Sequence, residues 1–240
     1  MNSSIVRFEF SFDGQIADDH QIDFYDVAHA LVGFQRTLAI TTHLILNGSV
    51  ITQAPSLKGA QIIALPPEEG SWKAVAIVVT AIAAGTFKVT TAPRDTPLGN
   101  LVSSAYDYVI SESLGFHVDY ETTLGQQYDA LPKNQKEALP QLDQSRFDSV
   151  IEKCEPAIIQ MHRPISHSES ALNAHIFSIV GKNRVPLGQP LDLETYEHIS
   201  VNVPSERPQT FSGKISSYNV NTYKGRVFTH EYNRPIPFEL

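Results

Sequence analysis

Cysteine is almost missing from this sequence: Cys154 is the only one. No intrachain disulfide can form, which suits a reducing compartment and makes the cytoplasm the expected location. A lone cysteine reads first as a small buried hydrophobe. Basic residues are also scarce. Lysine and arginine total 18 against 26 acidic residues, the net charge is −8, and no Lys/Arg block stands out. The footprint of a phosphate-backbone binder is therefore missing, and nucleic acid is disfavoured as a partner.

Long apolar runs are missing as well. The longest stretch of mainly apolar and small residues, AVAIVVTAIAAGTF at 74–87, would span about 21 Å as a helix, short of the ~30 Å hydrocarbon core. It reads as a buried core element, either a strand followed by a short helix or one helix. Its small residues, with Lys73 and Lys88 at its ends, leave two lesser readings: packing between copies, and membrane association. The N-terminal MNSS lacks the basic region of a signal peptide. No glycine-rich phosphate loop, HExxH, CxxC or GxSxG occurs, so no cofactor and no metal site is expected.

What is present is enough apolar residue, 42%, to bury a sizeable core. The pattern predicts an α+β protein. An α/β domain covers 1–185, and a small all-β module covers 186–240, SH3- or OB-like and incomplete. IVRFEFSF (5–12) reads as a strand ended by Asp13-Gly14. A long amphipathic helix follows over 23–46. Asp23 caps it, Asn47-Gly48 stops it, and Phe24, Val27, Ala28, Leu31, Phe34 and Leu38 fall at helical spacing. Residues 50–52 and 61–65 are strand candidates. Leu101, Val102, Ala105, Tyr108 and Val109 predict a helix closed by Leu114-Gly115, with Tyr106 and Tyr108 as packing residues. A polar stretch with short helices covers 121–145. Residues 146–161 predict a helix that Pro156 kinks and Pro164 ends. Residues 171–180 predict a strand. From about Leu187 prolines recur and β-formers dominate. The last thirty residues read as three short strands, the third carrying Pro235 and Pro237 as an edge strand does.

Two clusters carry candidate chemistry. Asp18, Asp19, His20, Asp23 and Asp26 form the densest acidic group, with Asp19 and Asp23 as candidate catalytic carboxylates. His162-Arg163 with His167 is the second, with His162 and His167 as a nuclease-like pair interrupted by Pro164. The bland readings are a solvated helix start for the first and ordinary structural histidines for the second. His29 and His43 read as packing or surface residues.

Three stretches, 18–48, 92–110 and KGRVFTHEYNRPIPFEL at 224–240, resemble an uncharacterised bacterial family known as a domain of unknown function. The resemblance implies an N-terminal α/β domain followed by a small β-barrel, which this chain ends part-way through, as a truncated or short member would. It supplies no catalytic residue, and it implies a setting near mobile elements and phage-defence genes. The leading expectation is a non-enzymatic, self-associating protein, a homo-oligomer or one acting through a protein partner, in antiphage defence. The alternatives are a metal-dependent hydrolase or nuclease, and a ligand-sensing, nucleotide-binding module.

Overall fold

The computed structural model describes residues 4–65, 72–80, 97–137, 139–180, 183–200, 210, 212–220, 223–232 and 234–240. Along the chain come β1 (Ser4–Asp13), α1 (Phe24–Asn47), β2 (Ala60–Leu65), β3 (Lys73–Thr80) and α2 (Pro97–Ser113). Two single-turn helices follow, α3 (Gln126–Asp129) and α4 (Lys133–Lys136), then α5 (Gln144–Met161) and α6 (Arg163–Ser166). The rest is β4 (Asn173–Val180), β5 (Asn183–Pro186), α7 (Leu193–Ser200), β6 (Gly213–Asn219), β7 (Lys224–Thr229) and β8 (Arg234–Glu239).

The strands form two antiparallel sheets, one ordered β2-β3-β1-β4-β5 and one ordered β6-β7-β8. Helices with antiparallel sheets make the α+β class that the sequence predicts. The second sheet is an open meander, and no SH3- or OB-like barrel closes among the described residues. The three C-terminal strands themselves lie where the alternation put them.

β1 sits at the centre of the larger sheet. Its period of two points Phe8, Phe10 and Phe12 to one face, where all three are fully buried. Phe8 meets Tyr106 of α2 edge-on at 4.6 Å, and Phe10 meets Phe34 of α1 at 5.0 Å between ring centroids. That face is therefore the one the helices cover.

α1 begins and ends as its sequence dictates. The Asp23 carboxylate accepts the Asp26 N–H at 2.9 Å, and Gly48 closes the helix at φ +64° with its N–H on the Leu44 carbonyl. Its buried face is the expected one except at its first turns. Val27, Phe34 and Leu38 are buried and Leu31 partly so, but Phe24 is 85% exposed and Ala28 is exposed. The stripe also runs through Asp26, Ala30, Gly33 and Thr37. At Gly33 a Cβ would stand 2.3 Å from the Ala157 carbonyl oxygen of α5, so only glycine admits this close helix pair.

Several other expectations need correction. Residues 50–52 form a loop, tied to α1 by Arg36 donating to the Thr52 carbonyl at 3.1 Å. Of the apolar run, 74–80 is strand β3, with Val75, Ala76 and Val78 buried; 81–87 lies outside the described residues. A strand flanked by β2 and β1 is apolar on both faces for the reason any central strand is. No helix among the described residues is long and apolar enough to cross a membrane. Pro156 sits inside α5 without ending it, and Pro164 lies in the first turn of α6, where its missing N–H costs no helical bond. The proline-rich stretch after Leu187 contains α7, started by Asp192 accepting the Thr195 N–H at 2.8 Å.

The exposed first turn gives a direct test. Phe34→Ala should cost about 3–5 kcal/mol in chemical denaturation, whereas Phe24→Ala should stay within about 0.5 kcal/mol of the parent. Equal losses for the two would restore the face read from periodicity alone.

Candidate functional site

The residues singled out from sequence are brought together only in part. Asp18 and Asp19 lie in a short 3-10 turn, Gln15–Asp19, and are exposed; Asp18 accepts the Gly14 N–H at 2.8 Å. Asp23 is spent as the α1 cap. Asp26 is buried and pairs with Arg163 at 2.8 Å, so one acid of the first cluster does meet the basic residue of the second. Arg163 also lies over the Tyr25 ring at 5.2 Å. His162 is fully buried between α5, α6 and α7. Its Nδ1–H donates to the Ile158 carbonyl at 2.8 Å, which leaves Nε2 to accept from the Thr195 hydroxyl at 3.0 Å. Burial pulls its pKa down to about 4. His167 is exposed, bonded to the Ser166 hydroxyl at 2.9 Å, and the two imidazoles flank the Tyr196 ring rather than a shared cavity. Among the described residues no three His, Cys, Asp or Glu side chains could hold a metal ion.

His43 is also structural. It takes the Lys58 N–H on Nδ1 at 3.2 Å and faces the Ser49 hydroxyl at 3.2 Å, clipping the following loop to α1. Cys154 is buried, and burial pushes its thiol up to about 12, as inert as the sequence suggested. Tyr106 and Tyr108 are both buried packing residues, Tyr108 against Tyr120 and Phe147.

A second charged group, which the sequence reading missed, lies where β7 meets α2 and α5. Arg226 of β7 donates to the main-chain carbonyl of Glu112 and to the Glu155 carboxylate, with the Glu112 carboxylate 4.0 Å away. Glu112, at the end of α2, is buried and accepts from the Val118 N–H at 2.6 Å. His117 stands 3.0 Å from the same oxygen, and its ring faces Phe228 of β7 at 5.1 Å. Burial holds Glu112 above the usual carboxylate range, against the counter-pull of Val118, His117 and Arg226. Asp148 of α5 is raised to about 7, first by burial and then by the Glu112 charge, with Arg226 pulling the other way. The one legible signal was on α5: Asp148, Glu152 and Glu155 recur at i, i+4 and i+7, an acidic stripe that wants a basic partner. The partner is 71 residues beyond Glu155, and nothing local announces it.

This arrangement anchors the C-terminal sheet to the helices through charge, and it keeps one carboxyl, Asp148, at a pKa where it exchanges its proton near neutrality. Perturbed carboxyls of this kind concentrate at functional sites and at structural ion-pair networks alike. Here the cation that answers them is part of the same chain.

The model of a domain of unknown function, DUF7946, matches residues 8–199. That span includes the resembling stretches 18–48 and 92–110; the third, 224–240, lies beyond it. No curated protein and no solved structure matches the chain.

The two shifted groups act on stability with opposite signs. Asp148 is raised, so its contribution is complete below its ordinary 3.8 and is lost as pH rises through about 7. His162 is lowered, so its contribution is complete above 6.5 and is lost as pH falls through about 4. Asp148→Asn should therefore raise the thermal midpoint at pH 8 by a few degrees, at about 2–4 °C per kcal/mol for a chain of this size, and change it little at pH 4. It should also leave a steeper rise of stability between pH 4 and 6.5 than the parent shows. Equal shifts at pH 4 and pH 8 would mean that Asp148 carries no proton-linked cost.

Proposed function

The chain belongs to the DUF7946 family, and we propose that it works as a non-enzymatic, self-associating interaction protein whose C-terminal sheet presents the contact face to a second copy. The observation that carries this reading is that the sheet is inside out. An antiparallel sheet with one face on the body usually turns its apolar side inward. Here the inward side of β7 carries Arg226 and Phe228, which register places beside Lys214 of β6 and Pro235 and Pro237 of β8. The other side carries Ile215, Tyr218, Val227, Ile236 and Phe238, with Thr229, which is buried, and the position of Arg234 at one end of it. Ile215 is 63% exposed and Tyr218 39%, with Tyr218 stacked on Phe238 across the sheet at 6.0 Å.

A second copy fits that face because the face is nearly uncharged. Chains of net charge −8 repel one another, and a contact face with few like charges adds least to that repulsion. The acids and histidines singled out from sequence hold caps, ion pairs and helix ends, which supports the non-enzymatic part. The setting of this reading is the reducing cytoplasm, with a role in antiphage defence suggested by the family resemblance.

Size-exclusion chromatography with light scattering tests it. The parent should elute at twice the chain mass or more at high micromolar concentration, and Ile215→Lys should return it to the monomer while keeping its thermal midpoint. A parent that stays strictly monomeric sinks the proposal, and an oligomer indifferent to Ile215→Lys moves the interface away from this sheet.

A further inference from the structure

We infer that the exposed ridge at the start of α1 is a docking surface for a basic amphipathic helix of a protein partner. Phe24, Ala28 and Val32 follow one another at i, i+4 and i+8, the row along which helices interlock ridge into groove. Phe24 is 85% exposed and Val32 65%, with Tyr25 beside them 62% exposed. The small Ala28 between two large side chains leaves the notch that a partner side chain fills. Isolated exposed apolar residues are ordinary; a continuous row of them on a capped helix is a contact face.

The surroundings of the ridge are held rigidly and in a costly conformation. Of the non-glycine residues at positive φ, Gln15 at +55° and His20 at +61° lie in the loop leading to α1, and Glu169 at +51° lies in the loop packed beside it. The two loops are tied by Ala17 N–H to the Ser170 carbonyl at 3.1 Å and by Leu172 N–H to the Asp13 carbonyl at 2.8 Å. Strain kept in place by such ties is found where a surface must hold one shape.

Charge decides the occupant. The segments 13–26 and 163–172 carry six acidic residues and one arginine, and that arginine, Arg163, is spent on Asp26. Asp18, Asp19, Asp23 and Glu169 are exposed around the ridge. A second copy docking through this face would set these acids against their own kind, and an anionic lipid surface would be repelled. A helix with an apolar stripe flanked by lysine or arginine satisfies both the row and the rim. The elements used are separate from the C-terminal sheet, so the inference stands or falls independently of self-association.

The test uses a fluorescently labelled peptide of about 18 leucine and lysine residues, roughly five helical turns, patterned for one apolar stripe. Controls are a scrambled peptide and a leucine–glutamate counterpart, titrated by anisotropy into the full chain and into Ile215→Lys. The lysine peptide should bind to both proteins with Kd of about 10–100 µM. Phe24→Ala should weaken it about tenfold, and Phe24→Ala with Tyr25→Ala should abolish it. Asp19→Asn with Glu169→Gln should weaken it several-fold, as should salt raised from about 50 to about 500 mM. Circular dichroism and the thermal midpoint should be unchanged in all four surface variants. Failure of the lysine peptide to bind, or equal binding of the scrambled or glutamate peptides, overturns the inference. So does binding indifferent to Phe24→Ala. Oligomerisation lost in Phe24→Ala would make the occupant a second copy, and flotation with anionic phosphatidylserine vesicles lost in Phe24→Ala would make it a membrane; either result overturns the inference too.

Discussion

The approach of α1 to α5 at Gly33 is the constraint from which the rest of the molecule follows. With a glycine facing the Ala157 carbonyl, the two helices lie closer than side chains would allow, and α5 becomes the axis of the fold. Its start buries Phe147, Val150 and Ile151 against α2, and its end delivers His162 and Arg163 to α6. Arg163 can then reach Asp26 near the first turn of α1, and His162 can tie α7 in place. α5 also carries Glu155, which receives Arg226 of β7. A separation of a few ångströms at one backbone contact would release both ends of this chain of contacts.

Buried ion pairs are poor sources of stability, since each charge must leave water before its partner repays the loss. This protein nonetheless uses pairs with at least one buried partner at three long-range junctions: Asp26 with Arg163, Glu9 with Arg184, and Glu112, beside Glu155, with Arg226. What such pairs supply is register. Arg184, lying over the Phe177 ring at 4.0 Å, places β5 on the sheet; Arg226 places β7 on the helices. The elements so placed are short strands with little apolar surface turned inward, for which packing alone would accept several positions.

Local order was legible in the sequence because its causes are local. Asp23 and Gly48 bracket α1, and the period of two in FEFSF makes β1. Phase and pairing were not legible. The α1 face was read only in part because Asp26, Gly33 and Thr37 do not look like core residues. Asp26 is buried because Arg163 answers it; Gly33 because α5 needs the space; Thr37 because its hydroxyl returns to the Gly33 carbonyl at 3.1 Å. Two of these three reasons lie more than a hundred residues away. The same distance hid the charged junction: the α5 stripe of acids was visible, while Arg226 reads as an ordinary strand residue. The helix α7 did carry a signal, Asp192 three residues before Thr195, but the prolines around it dominated the reading.

The two open apolar surfaces differ in the charge that surrounds them. The outer face of the C-terminal sheet carries the exposed Ile215 and Tyr218 beside the half-buried Val227, Ile236 and Phe238, and on the proposed reading it is the face that meets a second copy. The α1 ridge is narrow, aromatic and set among carboxylates, so a copy of the same chain is the partner it accepts least. A single acidic surface could not serve both ends: like charge that excludes self-association at the ridge would also prevent it at the sheet. The inside-out sheet resolves this. By turning Arg226 inward onto Glu112 and Glu155, the fold hides charge of both signs at one junction and leaves a mainly apolar face outward. On the two proposals made above, self-contact and contact with another protein would be separated by the distribution of charge rather than by differences in apolar area.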